Sequence, residues 1–149
     1  MEIAVLALGC FWGPEKKFSK IEGIVETEVG YCGGKVPGVT YKEVCSGETE
    51  HAEVVKLTFD AEKISYEKII EYFFDFHDPT TLNRQGPDIG SQYRSEIFFY
   101  NEEQKRISLS IIEKISKKFD KKIVTQVSGI KNYTKAEEYH QKYLEKNQF

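Results

Sequence analysis

Strand-like and helix-like apolar patterns alternate along the whole chain, and this alternation constrains its fold more than any other feature. Short runs rich in β-branched and aromatic residues predict strands at Ile3–Leu8, Ile24–Tyr31, Glu53–Phe59, Glu96–Tyr100 and Ile123–Val127. Apolar residues at helical spacing predict helices between Gly9 and Gly23 and over Tyr66–His77, Asn101–Phe119 and Lys135–Glu145. The order β-α-β-β-α-β-α-β-α predicts an α+β two-layer sandwich with a mixed sheet and a ferredoxin-like core. The polar and apolar alternation of Glu53–Phe59 predicts a strand covered on one face.

The chain shows no linker, repeat or biased segment, and its 149 residues suit one domain, which we place at 1–149. In two stretches, Gly33–His51 and Asp78–Tyr93, apolar residues recur neither at the spacing of a helix nor at that of a strand. Both exceed the roughly 12–15 residues above which loops of compact domains are usually functional or disordered. Because they are rich in Tyr, Gln, Arg and Cys, we expect these long loops to build a functional site.

The net charge, the apolar N-terminal run and the cysteine content indicate which partners and which compartment to expect. The 21 Lys and Arg against 24 Asp and Glu leave a net charge of −3, so nucleic acid is not an expected partner. The apolar start at Ile3–Leu8 lacks a basic leader and is too short to span a bilayer, which predicts a buried strand. Three cysteines, an odd number, argue against a disulfide framework and favour a reducing, cytoplasmic compartment. No C-x-x-C or H-x-x-H pair is present, so no metal is expected.

Cys10 is the first candidate for chemistry. It follows a predicted strand and precedes a predicted helix, whose positive end would favour the thiolate and lower the pKa of this thiol. A free cysteine is also often only a small buried apolar residue. The neighbouring Phe11 and Trp12, flanked by Gly9 and Gly13, favour an apolar pocket beside the sulfur.

The run Gly9-Cys10-Phe11-Trp12-Gly13 followed by Glu15 resembles the active-site motif of the peptide methionine sulfoxide reductases of the A type. Further blocks of that family follow in order over nearly the whole chain: Gly30-Tyr31-Cys32-Gly33-Gly34, Thr40-Tyr41-Lys42-Glu43-Val44-Cys45-Ser46-Gly47, His51-Ala52-Glu53-Val54-Val55, His77-Asp78-Pro79, Asn83-Arg84-Gln85-Gly86-Pro87-Asp88-Ile89-Gly90-Ser91-Gln92-Tyr93-Arg94-Ser95 and Ala136-Glu137-Glu138-Tyr139-His140-Gln141-Lys142-Tyr143-Leu144.

The resemblance implies an enzyme, without metal or organic cofactor, that reduces the S epimer of methionine sulfoxide, free or in oxidised proteins. It implies that Cys10 attacks as a thiolate and becomes a sulfenic acid, which an external thiol reductant such as glutathione, a glutaredoxin or thioredoxin regenerates. It also assigns the other roles: Phe11 and Trp12 hold the substrate methyl group, Glu53, Tyr41 and Tyr93 hydrogen-bond the sulfoxide oxygen, and Asp88 supports the site.

Physical chemistry gives these roles a rationale. The sulfoxide oxygen leaves poorly unless it is protonated, and a Glu53 carboxyl in an apolar pocket would keep its proton near neutral pH. Each residue also has a plainer interpretation from the sequence. Glu53 could face solvent on its strand, Tyr41 and Tyr93 could be boundary aromatics, and Asp88 could cap a turn.

Two other classes of function stay open from the residues alone. One is another cysteine enzyme, a peroxidase or a Cys–His hydrolase, although His51, His77 and His140 lie in no recognisable nucleophile–base motif. The other is a non-catalytic ferredoxin-like binding module. We interpret the histidines as polar scaffold, with His77 ending a helix whose dipole favours the charged ring.

The chain departs from the family pattern at a few positions. Glu50 stands where the motif usually has glycine, and no cysteine follows Cys45, although many members carry recycling cysteines in a C-terminal tail. We expect Cys45 to be a buried structural thiol, which leaves Cys32, beside Gly33 and Gly34, as a possible resolving thiol. Because disulfide geometry is demanding, we favour a cycle that uses Cys10 alone.

Overall fold

The computed structural model describes residues 1–147, so Gln148 and Phe149 of the predicted 1–149 domain lie outside the described residues. The strands β1 to β8 are, in order, Glu2–Leu8, Ile24–Cys32, Ala52–Phe59, Arg84–Gln85, Asp88–Ile89, Ser95–Phe99, Gln126–Gly129 and Thr134–Lys135. The helices α1 to α5 are Trp12–Ser19, Tyr41–Cys45, Tyr66–Asp75, Glu102–Ser116 and Tyr143–Lys146. Short 3-10 turns cover Ser91–Tyr93 and Glu138–His140.

The main sheet confirms the predicted fold class. Its six strands lie in the order β7-β6-β1-β3-β2-β8, with β6 and β7 parallel and the other neighbours antiparallel. The inner order β6-β1-β3-β2 is that of a ferredoxin-like core, with α1 connecting β1 to β2 and α3 connecting β3 to β6. The chain is therefore an α+β fold with a mixed sheet.

Both faces of the central strands are buried. One face packs with the apolar sides of α1, α3 and α4, whose buried apolar residues are Phe18, Tyr66, Ile69, Ile70, Phe73, Phe74 and Ile111. The other face holds a smaller cluster in which Val54 and Phe98 pack with the partly buried Ile130 and Tyr133. The prediction that β3 is covered on one face is therefore wrong, because the segment after β7 covers the second face as well.

The predicted helix over Lys135–Glu145 is also wrong. This region forms β8, a 3-10 turn and the four-residue α5, and Lys142 has a left-handed backbone with φ of 52°. The side chain of Gln141 replaces a strand neighbour for β2, because it accepts from Val29 N–H and donates to Val29 O, both at 2.9 Å. Tertiary hydrogen bonds thus override the helical pattern of this segment.

The other boundary differences are smaller. The helix predicted over Tyr66–His77 ends at Asp75, and the one predicted over Asn101–Phe119 spans Glu102–Ser116, with Asn101 as its N-cap. The strand predicted at Ile123–Val127 forms at Gln126–Gly129 instead, parallel to β6.

His77 does not carry the charge that its position at a helix end suggested. Its Nδ1 lies 2.7 Å from Phe73 O and its Nε2 lies 2.7 Å from Ser95 Oγ. Burial lowers the pKa of His77 to about 4, which outweighs the hydrogen bond to Phe73. The ring is therefore neutral near physiological pH, and His77 joins α3 to β6 as part of the scaffold.

The first long loop is organised around His51. Gly34 N–H donates to His51 Nδ1 at 3.1 Å, and His51 Nε2 lies 2.6 Å from Val36 O. A β-carbon at position 34 would come within 2.2 Å of the His51 ring, so only glycine fits this approach. The second long loop contains the β4–β5 hairpin and the 3-10 turn that precedes β6.

Over residues 1–147, we find no helix with the length and apolar character that crossing a bilayer requires.

Glu50 has a left-handed backbone with φ of 62°, at the position where the resemblance described above expects glycine. A β-carbon in this region costs about 1–2 kcal/mol. The Glu50 carboxylate lies 3.8 Å from Lys35 Nζ with both side chains largely exposed, and such pairs contribute little.

We therefore predict that Glu50→Gly raises the free energy of unfolding by about 1 kcal/mol, as measured by urea denaturation. Glu48→Gly is the matched control, since Glu48 is exposed in the same loop and is not among the residues with positive φ. The control should be destabilised slightly, because glycine adds entropy to the unfolded chain. Equal destabilisation of both variants would contradict the prediction.

Candidate active site

A sharp turn after β1 presents Cys10. Gly9 has φ of 100°, and a β-carbon there would lie 2.9 Å from the Gln85 side chain, so glycine is required on both counts. Cys10 follows, half-buried, and Phe11 is the N-cap residue of α1. The thiol thus lies between the end of β1 and the start of the helix, as the sequence predicted.

Glu53 lies beside this turn because β3 pairs antiparallel with β1, in a register that places Leu6 opposite Val55. Its side chain is 1% exposed, which excludes a solvent-facing carboxylate. Phe11 N–H donates to Glu53 Oε1 at 3.3 Å, and Gln92 Nε2 donates to Glu53 Oε2 at 3.4 Å.

Burial raises the pKa of Glu53 to about 7, and the charge of Asp88 raises it further, while the hydrogen bonds from Phe11 and Gln92 oppose the shift. The direction and the cause of this shift agree with the expectation that desolvation favours the protonated carboxyl. Glu53 therefore exchanges a proton in the neutral pH range, where a general acid is most effective.

The thiol of Cys10 behaves differently from the expectation. Burial raises its pKa to about 12, with the charges of Glu53 and Asp88 adding to the effect, and the hydrogen bond from the Trp12 backbone opposes it only in part. The backbone N–H at the start of the helix does lower this pKa, but desolvation outweighs it, so the expected net decrease in pKa is wrong. In the free protein Cys10 holds its proton at neutral pH.

Tyr41 lies on α2 and Tyr93 on the 3-10 turn before β6, and both are half-buried. Burial raises the pKa of both phenols, that of Tyr93 to about 12, and the charge of Glu53 raises both further. Both therefore remain O–H donors near Glu53. Asp88, on β5, is half-exposed, and its charge reaches Cys10, Glu53 and Tyr93.

The aromatic residues that follow Cys10, Phe11 and Trp12, form what we call the aromatic wall. Phe11 is 1% exposed, and its ring centroid lies 5.8 Å from that of Tyr31. Trp12 is half-buried and stacks on Tyr143 with centroids 3.8 Å apart. The structure thus brings Cys10, Phe11, Trp12, Glu53, Tyr41, Tyr93 and Asp88 into one region.

The other two cysteines also differ from the prediction, in the burial of Cys45 and in the position of Cys32. Cys45 is exposed rather than buried, and its Sγ accepts from Gln92 Nε2 at 3.4 Å. Cys32 is fully buried, and its Sγ donates to Lys131 O at 3.4 Å. Side chains alternate along β2, so Tyr31 faces Phe11 while Cys32 points to the opposite face of the sheet. The structure does not bring Cys32 to the site.

Two residues, Gln92 and His140, lie at the site although the sequence did not assign them to it. Gln92, 5% exposed, bridges Glu53 and Cys45, and only its place beside Tyr93 in a polar loop block could have indicated it. His140 accepts the Trp12 indole N–H at Nδ1 at 3.1 Å, across a separation along the chain that no local pattern reveals.

The histidines form no nucleophile–base pair with Cys10. The hydrogen-bonding partners of His51, His77 and His140 are backbone groups, Ser95 and Trp12. Within residues 1–147, no group of three or more His, Cys, Asp or Glu side chains is placed to hold a metal ion.

Comparison with known proteins places this geometry in a family context. Residues 2–149 match the family described as peptide methionine sulfoxide reductase. A peptide methionine sulfoxide reductase MsrA from Pelagibacter ubique is 65% identical over 146 residues, or 98% of this chain and 99% of that protein. Mxr1 from Saccharomyces cerevisiae in reduced form matches with a TM-score of 0.93 at 41% identity, over 98% of this chain and 85% of that chain. Mxr1 in complex with Trx2 matches with a TM-score of 0.68 at 27% identity, over 95% of this chain and 84% of that chain.

Proposed function

The chain belongs to the peptide methionine sulfoxide reductase family and reduces methionine sulfoxide, and we propose that Cys10 is its nucleophile and Glu53 its acid. The observation that carries this assignment is the buried Glu53 carboxyl, hydrogen-bonded to the backbone next to Cys10 and holding a pKa near neutrality. The non-catalytic binding module, which the residues alone left open, is excluded because the family is one of enzymes. We further propose that residues 1–149 are a single catalytic domain, and that the substrate is the S epimer.

The reaction transfers one oxygen atom between two sulfur atoms. Glu53 gives its proton to the sulfoxide oxygen, which weakens the bond between that oxygen and the methionine sulfur. Cys10 sulfur attacks the methionine sulfur, and the thiol proton returns to Glu53. The hydroxyl then moves from the methionine sulfur to the Cys10 sulfur, and the bond that had formed between the two sulfur atoms breaks. Cys10 becomes a sulfenic acid, oxidised by two electrons, and the substrate leaves as methionine, reduced by two electrons.

The remaining residues bind and polarise the substrate in this proposal. Tyr41 and Tyr93 donate to the sulfoxide oxygen as negative charge develops there, and losing one such donor typically costs about 10²–10³ in rate. The Phe11 and Trp12 rings receive the substrate methyl group, which suits their apolar surface. Asp88 adds to the negative field that keeps the proton on Glu53.

Regeneration needs a thiol reductant, since the sulfenic acid must regain two electrons. The complex of yeast Mxr1 with Trx2 supports a thioredoxin-type protein, and glutathione or a glutaredoxin would serve by the same chemistry. We propose that the external thiol attacks the Cys10 sulfenic acid directly, which releases water and forms a mixed disulfide that a second thiol then reduces. The burial of Cys32 on the opposite face supports this cycle over a disulfide between Cys10 and Cys32.

We propose a cytoplasmic setting, where free methionine sulfoxide and oxidised proteins are the substrates.

The nucleophile is tested by Cys10→Ser. Because a hydroxyl is far less nucleophilic than a thiol, turnover of methionine S-sulfoxide should fall at least ~10³-fold, with the unfolding transition unchanged. Cys45→Ser makes the same change at an exposed thiol and should keep near-normal turnover with dithiothreitol as reductant. Substantial turnover in the Cys10 variant would reject this residue as the nucleophile.

The acid is tested by Glu53→Gln. In the wild type, kcat/KM should fall as pH rises through about 7, because Glu53 must be protonated to act. The variant should lose about 10²–10⁴ in kcat at pH 6 and show no such fall, with KM nearly unchanged. Glu26→Gln, at an exposed position on β2, should keep the wild-type profile. A change in KM alone would make Glu53 a binding residue.

The regeneration route is tested by mass spectrometry after one equivalent of substrate without reductant. A cycle that uses Cys10 alone predicts a sulfenic acid on Cys10, trapped by dimedone, in the wild type and in Cys32→Ser and Cys45→Ser alike. Both variants should turn over at more than about half the wild-type rate with glutaredoxin or a small thiol, since neither removes the attacked sulfur. A Cys10–Cys32 or Cys10–Cys45 disulfide, with turnover lost in the matching variant, would replace this route.

A further inference from the structure

Trp12 is held on two sides by residues of one segment. His140 accepts its indole N–H at 3.1 Å, and Tyr143 stacks on its ring with an interplanar angle of 9°. We call His140 and Tyr143 the Trp12 clamp. Stacking fixes the plane of the indole but allows it to rotate within that plane, whereas the hydrogen bond at the ring edge fixes its direction.

The protonation of His140 follows from this hydrogen bond. Its Nδ1 accepts, so a neutral ring carries its proton on Nε2, which is buried and has no hydrogen-bonding partner within residues 1–147. His140 is 2% exposed, and leaving a buried donor unpaired costs about 1–3 kcal/mol.

The surroundings keep the ring neutral. Burial lowers the pKa of His140, and the nearby Glu137 charge only partly opposes this. The Glu137 carboxylate already accepts from Tyr31 O–H at 2.7 Å and from Tyr41 N–H at 2.8 Å. Nδ1 therefore remains an acceptor for Trp12 at physiological pH.

The His140 ring also contacts other proposed site residues. Its centroid lies 5.2 Å from that of Phe11 and 4.5 Å from that of Tyr41. It thus lies behind the aromatic wall and beside the helix that carries one of the phenols, without a hydrogen bond to Cys10 or Glu53.

The clamp segment is anchored independently of the His140 side chain. The buried Glu15 accepts from Lys142 N–H at 2.7 Å and from Thr27 O–H at 2.8 Å. Gln141 donates to Val29 O and to Ala136 O, both at 2.9 Å. A substitution at His140 therefore removes the bond to Trp12 while the segment keeps its backbone anchors.

We propose that His140 is a positioning residue for substrate binding, which fixes the direction of the Trp12 ring so that its free surface receives the substrate methyl group. The inference rests on the role proposed for Trp12 above. Because Cys10 and Glu53 keep their own contacts when His140 changes, losing this bond should weaken substrate binding more than oxygen transfer.

A matched pair of variants tests the proposal. His140→Phe keeps an aromatic ring but has no acceptor, and it should raise KM for methionine S-sulfoxide about 5–10-fold, with kcat within about twofold. His140→Asn retains an acceptor near the place of Nδ1 and should recover most of the wild-type KM. If His140→Phe fails to fold, His140→Leu removes the same acceptor and takes its place.

A double-substitution cycle isolates the bond itself. In a Trp12→Phe background the donor is gone, so adding His140→Phe should raise KM no further. An equal further rise would overturn the positioning role, as would a loss of kcat without a change in KM. If Trp12→Phe leaves KM unchanged, the binding role of Trp12 fails together with this inference. If only His140→Phe leaves KM unchanged, the inference alone fails.

Fluorescence provides a readout independent of activity, since Trp12 is the only tryptophan of the chain. Time-resolved anisotropy should show a larger amplitude of fast local motion for His140→Phe than for the wild type or His140→Asn. Identical anisotropy decays in all three folded proteins would contradict the proposal.

Discussion

The burial of one carboxyl group, that of Glu53, is the constraint on which the arrangement of the site depends. An ionised carboxylate at 1% exposure carries a large desolvation cost. The site reduces this cost by raising the pKa of Glu53 to about 7 and by supplying two long hydrogen bonds, at 3.3 and 3.4 Å. These donors come from the N-cap residue of α1 and from the second long loop. A single side chain on β3 thereby joins the sheet, the cysteine turn and the loop that carries Tyr93.

A second set of polar side chains, two of them buried and one half-buried, fixes the C-terminal segment over the aromatic wall. Glu15, Gln141 and Glu137 each bond groups that are distant along the chain, and together they place His140 and Tyr143 around Trp12. Each of the three side chains also bonds a backbone group, of Lys142, Val29 and Tyr41, so these bonds fix geometry more than they add apolar burial. Such fully paired networks specify one arrangement, because breaking any member leaves a buried polar group unsatisfied.

The sequence predicted the parts of the molecule that local patterns determine. Strands β1, β2, β3 and β6 and the helices α3 and α4 were predicted within a few residues, because their apolar periods match their burial. The helix predicted over Lys135–Glu145 does not form, because the tertiary hydrogen bonds of Gln141 and Lys142 hold this segment in another conformation. Cys45 was predicted to be buried but is exposed, and Cys32, the possible resolving thiol, is buried away from the site, since burial depends on segments that are distant along the chain. The family motifs named the residues that the structure gathers around Cys10, but Gln92 and His140 emerge only from contacts distant in sequence.

The proton balance of the site connects its two main groups. Burial raises the pKa of Cys10, so attack is favoured when a nearby base takes the thiol proton. The charge on Glu53 raises the pKa of Cys10, so losing the Glu53 proton removes the acid and also makes the thiol harder to ionise. Conversely, when Glu53 gives its proton to a sulfoxide oxygen, its new carboxylate lies ready to accept the thiol proton as Cys10 attacks. Burial thus favours a concerted exchange of protons over stepwise ionisation, because neither group gains a stable charge on its own.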